Sequence, residues 1–429
     1  MKPLAALATL AVLSLLGQDS PPGEAKARAK SAKEYGKQGS SAIPKLVPML
    51  SDPELSVRIE VVKALVEAGS QHSLDPLIQA TKDNDAEVQI RATDGLVNFY
   101  LPGYVQTTGL TASLKRTGTR IISRFTDTND QIIPGYIEVR PEILEALGKV
   151  VSGGASMEVR ANAARALGVL RGKKAIPNLV EALRTKDDRV LYESLIAFQK
   201  IRDSSVAPSI TFLLRDLNEK IQLAAIETTG LLMNRVALPQ LREAFDRARN
   251  DKVRRAALSS IAMMPDAGNR ELYVTYFQDK DDGLRAAAAE GFARLRRPED
   301  TPMLEKAFNE ERKMNPRLSL AFALVMTGKH ELTTFSPLQY LINTLNSKSY
   351  KGVARSFLLE ATRDLGARKA AYAAIRRGTK DEKIQLAQIL AESGDKDTVA
   401  ELEPLARDVD TDVAQEALRA LRSLKARLP

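Results

Sequence analysis

With 429 residues and 44% hydrophobic content the chain can bury a large core, and an aromatic content of 5% fits closely stacked Ala, Leu and Val helices with little strand. It contains no cysteine, which excludes disulfides, thiolate metal sites, covalent thiol chemistry and lipid modification of a lipoprotein cysteine. The formal charge of +9 suits an acidic partner without choosing among nucleic acid, anionic lipid and acidic protein.

Met1-Lys2-Pro3, followed by the uncharged stretch from Leu4 to Gly17, has the charged start and short apolar run of a secretory signal. A comfortable bilayer span takes about 20 apolar residues, and the stretch is shorter than that. Residues 1–17 are therefore expected to be a signal peptide cleaved after Gly17, with Ala27 and Ala29 as later alternatives near 27–29. Lys2 is the only charge it holds, so its loss leaves +8. The expected product is exported, or held by an N-terminal anchor if the signal is kept, and export argues against nucleic acid as a partner. Residues 18–42 form a basic segment, with Lys26, Arg28, Lys30, Lys33 and Lys37 against Glu24 and Glu34, and read as a solvated cap.

From Ile43 a two-helix phrase recurs. Its clearest copy is Val159-Arg160-Ala161-Asn162-Ala163-Ala164-Arg165-Ala166-Leu167-Gly168, and equivalents of Val159 are Val57, Val88, Val190, Ile221, Val253, Leu284, Pro316, Ile384 and Val413. Adjacent copies recur at a nearly constant step, about 31 residues, and such a period is the mark of a solenoid. Val159, Ala163, Ala166 and Leu167 fall on one face of a helix of 3.6 residues per turn. A shorter helix precedes each phrase, as in Ile43-Pro44-Lys45-Leu46 and Ala175-Ile176-Pro177-Asn178-Leu179, with proline near its start where a missing N–H is harmless. Acidic turns such as Lys82-Asp83-Asn84-Asp85 and Asp279-Lys280-Asp281-Asp282 separate the two helices, and read as caps and turns rather than metal ligands.

On the phrase "VRxxAAxALG" preceded by "IPxLxxxL", the chain resembles the HEAT repeats, in particular the bacterial HEAT-like subgroup named after phycobilisome lyases, from about Ile43 to Leu428. The resemblance implies an all-α fold, a right-handed α-solenoid of about eleven HEAT-like helix-turn-helix repeats with one irregular insertion. It also implies that Arg58, Arg160, Arg254, Arg285 and Arg317 form a structural ladder between repeats, with Gln89, Gln222 and Gln385 in place of arginine elsewhere. Together with the signal it points to a bacterial periplasmic or otherwise extracellular location.

Repeats occupy 43–99 and 141–429, and residues 100–140 are the insertion, because the step from Val88 to Val159 is more than twice the usual one. The insertion holds two similar tetrads, Leu101-Pro102-Gly103-Tyr104 and Ile133-Pro134-Gly135-Tyr136, whose Pro-Gly pairs read as type II turns presenting tyrosine. Between them Leu110, Leu114, Ile121 and Phe125 share one helical face and Arg116, Arg120 and Arg124 another. Lys115 adds a fourth cation and Val105 to Phe125 contains no acid, although Arg120 to Phe125 would also suit a strand. Further along, the distance from Pro316 to Ile384 leaves room for one degraded repeat between them, with Gly352 to Leu359 in its second helix, which brings the total to eleven.

Chemistry is harder to find. The two histidines, His72 and His330, lie on different repeats, and the single His330-Glu331 pair falls short of the several such pairs that HEAT-like deoxyhypusine hydroxylases use as metal ligands. No catalytic, cofactor-binding or metal-binding residue is assigned, and no cofactor is expected. The reading is an exported non-enzymatic scaffold, monomeric, that binds a protein or peptide. Its partner residues are expected to be Tyr104, Lys115, Arg116, Arg120, Arg124 and Tyr136 of the insertion, together with second-helix positions such as Glu60, Lys63, Arg91, Asp94, Asn162, Arg165, Glu193, Glu227 and Glu290. The alternative is a peripheral membrane or envelope-polymer binder acting through the basic insertion, and a lesser one a lyase-like or other enzyme.

Overall fold

The computed structural model describes residues 22–105 and 131–428, and among them there are helices and turns but no strand. The signal expected at 1–17 and the centre of the insertion lie outside the described residues. The described chain forms two compact units, 22–105 with 154–159 and 131–153 with 160–428.

In the first unit α1 (Pro22–Lys37) packs on α3 (Leu55–Ala68), and α3 on α5 (Ala86–Tyr100). The shorter α2 (Ile43–Leu46), prolonged by a 3-10 turn over Val47–Ser51, and α4 (Leu74–Ala80) fill the intervening row. The basic segment is thus a helix in the row of second helices: Ala25 and Ala32 are buried and Lys26, Lys30, Lys33 and Lys37 face outward.

The second unit continues the pattern. Its first helices are α6 (Pro141–Gly153), α8 (Ile176–Ala182), α10 (Ala207–Ile210), α12 (Leu238–Asp246), α14 (Arg270–Tyr276), α16 (Thr301–Glu310), α18 (Pro337–Thr344), α20 (Leu365–Arg377) and α22 (Lys396–Leu402). Its second helices are α7 (Met157–Val169), whose first residues cluster with the other unit, α9 (Asp188–Ile201), α11 (Glu219–Leu231), α13 (Asp251–Ala262), α15 (Asp282–Leu295), α17 (Met314–Met326), α19 (Lys351–Ala361), α21 (Lys380–Ser393) and α23 (Thr411–Arg427). The degraded repeat is real, since Gly352 to Leu359 lie in α19, which packs between α17 and α21.

Local chemistry explains many of the boundaries. Pro44, Pro177, Pro208, Pro239, Pro302 and Pro337 occupy the first or second position of their helices. Asp85, Asp187, Asn218, Asn250, Asp281 and Asp410 accept backbone N–H bonds at the starts of second helices. Val159, Ala163, Ala166 and Leu167 are all fully buried, as helical periodicity requires. Second helices also approach one another closely. A side chain at Gly168 would sit 2.8 Å from the Ala197 backbone, and one at Gly230 would sit 2.9 Å from that of Ser260, so glycine at the end of the phrase sets the spacing between neighbours.

Candidate functional site

The acidic turns are built from two carboxylates with separate duties. The first closes the turn by accepting the N–H two residues on, as Asp52, Asp83, Asp216, Asp279 and Asp408 do at 2.8 to 3.0 Å. The second caps the following helix, as Asp85 and Asp281 do. Several turn carboxylates also receive a cation from another repeat: Arg28 on Asp52 at 2.7 Å, Arg58 on Asp83 at 2.8 Å, Arg255 on Asp281 at 2.5 Å and Lys383 on Asp408 at 2.8 Å. The Arg255 guanidinium holds the Asp281 carboxyl below its ordinary value of 3.8, and Arg189 does the same for Asp187.

Two of the expected ladder arginines share one geometry. Arg58 donates to the carbonyls of Asp52 and Pro53 and to the Asp83 carboxylate, and Arg285 donates to the carbonyls of Asp279 and Lys280 and to Glu311. Gln89 keeps the carbonyl half of that pattern, its Nε2 lying 2.6 Å from Asp83 O, and accepts from Ala155 N. Arg254 and Arg317 depart from it. Arg160 donates to Val151 O at 2.7 Å, while Arg254 lies between the Phe245 and Tyr276 rings and Arg317 between Phe308 and Tyr340, at 5.0 to 5.2 Å from the ring centres.

The expected partner residues are not brought together. Tyr104 is 1% exposed: Tyr104 N donates to Leu101 O across a turn with Gly103 at φ 93°, and the turn folds the ring into the core instead of presenting it. In the second tetrad Gly135 is outside the left-handed region and the turn is shifted by one residue, with Ile137 N on Pro134 O, leaving Tyr136 half-buried. Lys115, Arg116, Arg120 and Arg124 lie outside the described residues. Asn162 is 6% exposed and Asp94 is also buried, because a second helix is flanked by its own first helix and by second helices of adjoining repeats. Glu60 pairs with Lys63, Arg91 with Glu87 at 2.5 Å, and Glu193 with Arg165 through a two-pronged bond of 2.6 and 3.1 Å, while Glu227 is exposed.

Glu290 belongs to a larger cluster. Arg294 Nη1 reaches Glu290 at 3.3 Å and Ala262 O at 3.4 Å, while Nε and Nη2 each approach Glu360 at 2.9 Å, so one side chain joins α13, α15 and α19 past the intervening α17. Ser319 of α17 donates to Glu290 at 3.3 Å, and the guanidinium lies over Phe322, which stacks on Phe357 at 4.6 Å. Burial pushes the Glu290 carboxyl up from its ordinary range, against the pull of Arg294.

Sequence reasoning also missed the left-handed residues that end second helices. Gly69 and Gly328 serve at two of them, but Arg171, Arg202, Met233 and Arg296 adopt φ of 51 to 60° where a Cβ costs about 1 kcal/mol. Only their placement marks them in the sequence: Arg171, Arg202 and Met233 follow one another at one repeat, and Arg296 lies two repeats beyond Met233.

The sequence matches the HEAT-repeat family over residues 10–97, 144–230 and 238–325, more than half of the chain. No curated protein sequence gives a significant match. Among solved structures it is similar to the complex of CpcE and CpcF of phycocyanin lyase from Nostoc (17% identity, 61% of this chain and 90% of that one, TM-score 0.36). Others are the Escherichia coli protein YibA (15% identity, 72% and 98%, TM-score 0.40) and human deoxyhypusine hydroxylase in complex with glycerol (16% identity, 66% and 96%, TM-score 0.28). At these identities the likeness is one of fold alone.

Proposed function

The chain belongs to the HEAT-repeat family, and from that premise we propose that it is an exported, non-enzymatic, monomeric scaffold that binds a protein or peptide on its solenoid surface. Scaffolds of this kind offer a long, regular surface whose use is set by local departures from the repeat. The observation that carries the reading is the single large departure at 100–140, since much of the regular array's charge is engaged in turns, caps and bridges between repeats. Arg116, Arg120 and Arg124, with Lys115 beside them, are assigned as the insertion's contribution to partner binding, with Tyr136 at its rim.

The acid-free run from Val105 to Phe125 also favours a second reading, contact with an anionic membrane surface or envelope polymer. One experiment separates the two. The triple charge reversal R116E/R120E/R124E is compared with the parent in retention of envelope proteins and in sedimentation with anionic vesicles. Loss of protein partners with an unchanged melting temperature supports the scaffold, loss of vesicle binding supports the membrane reading, and loss of neither removes the insertion from both. Export is tested by fractionating cells that express the tagged chain and sequencing the N-terminus of the mature form.

A further inference from the structure

The returning limb of the insertion, Gln131 to Gly135, crosses the C-terminal ends of α7 and α9 as a strap. Lys200 Nζ donates to Gln131 O at 3.2 Å, Ile133 N donates to Val169 O at 3.0 Å, and Gly135 passes Arg171, whose Nη1 lies 3.6 Å from where a Cβ there would stand. Ile133 is 1% exposed, so the strap seals an aliphatic side chain against the array. The repeats before the insertion carry the same frame. Val57 and Val88 are as far apart as Val159 and Val190, the 3-10 turns Gln71–Ser73 and Lys173–Ala175 lead into α4 and α8, and Gly69 and Arg171 are both left-handed. In that frame Glu67, Gly69 and Asn98 are the counterparts of Val169, Arg171 and Lys200. All three border a cavity of about 240 Å³ between α3, α4 and α5, with Leu65, Leu74 and Leu77 buried inside and Glu67, Gly69 and Pro102 exposed at its rim. Ser73 lines it too, and its buried hydroxyl has no partner among the described residues.

We propose that this cavity seats an extended segment of a protein partner, which places one aliphatic side chain between α3, α4 and α5 and a backbone N–H on Glu67 O. The chain's own strap is the template, with Ile133 in the part of that side chain and Val169 O in the part of Glu67 O. A helix leaves its last carbonyls without an internal donor, and Glu67 lies in the last turn of α3. A void of about 150 Å³ already holds a benzene ring, so one of about 240 Å³ takes an isoleucine or leucine side chain with room to spare. The Ser73 hydroxyl and the Glu67 carbonyl suit a peptide backbone, whereas a lipid tail would leave both unpaired. The choice of a protein segment rests on the protein-binding reading above. Its seat, however, is in the regular array at the foot of the insertion, where Pro102 forms the rim, and not on the insertion's central arginines.

The test uses the full chain and a fluorescein-labelled, end-blocked copy of the strap, Gln-Ile-Ile-Pro-Gly-Tyr, followed by anisotropy. Binding should saturate, and serine in place of the peptide's second isoleucine should weaken it about tenfold or more, as the loss of one buried aliphatic side chain requires. Val66→Phe fills the cavity from its wall, and should weaken binding about tenfold or more while the melting temperature holds or rises. A peptide carrying a photoreactive diazirine leucine at the same place should crosslink within 65–77 and 95–102. Equal affinity for the isoleucine and serine peptides overturns the proposal. So does equal affinity in a folded V66F protein, or crosslinks confined to the strap's own groove at 167–179 and 197–204. Binding that appears only after deletion of 106–130 also overturns it, since the chain's own insertion then holds the cavity. Should V66F unfold, the crosslinked positions decide. If no peptide binds while the immobilised parent still retains envelope proteins, this site fails and the scaffold reading stands. Crosslinks at the cavity with no envelope protein retained do the reverse, upholding the site and overturning the scaffold reading.

Discussion

At Arg285 three carbonyl and carboxylate partners converge on one half-buried side chain. Removing it in Arg285→Ala should destabilise the protein by about 2 kcal/mol, read from chemical denaturation, because Asp279 O and Glu311 lose a charged donor together. Arg285→Gln should recover part of that loss, since Gln89 already reaches the equivalent carbonyl at 2.6 Å. Acid provides a second test. Asp281 and Asp187 have folded-state values held below the ordinary 3.8, so their contribution is present above that value and disappears as pH falls through the depressed folded values. The melting temperature should therefore drop below about pH 4, and Asp281→Asn, which keeps a capping oxygen but weakens the pairing with Arg255, should make that drop shallower. Glu290 works in the opposite sense: its raised value means that its contribution is lost as pH rises.

At the scale of the helix, the sequence carried nearly everything that depends on periodicity. The helical pattern marked Val159, Ala163 and Leu167 as core, and the acid turns were legible because capping is local chemistry. Exposure of second-helix polar residues was not legible. Asn162 and Glu193 look outward on an isolated helix, and only the stacking of adjoining repeats buries the first and pairs the second with Arg165. Tyr104 failed for a related reason, because a turn type fixes the backbone but not whether its last side chain faces core or solvent. The useful signal was opposite charge at a spacing of about one repeat, as in Arg165 with Glu193 or Arg376 with Glu401. Ending the chain after Ser393 removes α22 and α23 as a whole repeat and should leave a folded, soluble protein by circular dichroism and gel filtration. Ending it within α21, after Leu386, should produce an aggregating one, because the apolar face of a half helix has no cover.

For the molecule as a whole, an array in which each repeat touches only its neighbours behaves as a one-dimensional lattice with nearest-neighbour coupling, free to melt from its ends inward. Arg294 adds a second-neighbour bond, from α15 to Glu360 of α19 across α17. Arg294→Met should lower stability by about 3 kcal/mol, because it leaves two carboxylates facing each other without their cation. Its more telling effect is on how unfolding spreads. A boundary between folded and melted repeats moving in from the C-terminus would have to break two couplings at once to pass α19, so it should stall there. Hydrogen exchange should find α15, α17 and α19 opening together and later than α21 and α23, and in the Arg294→Met protein that step should vanish, leaving protection that declines smoothly from one repeat to the next.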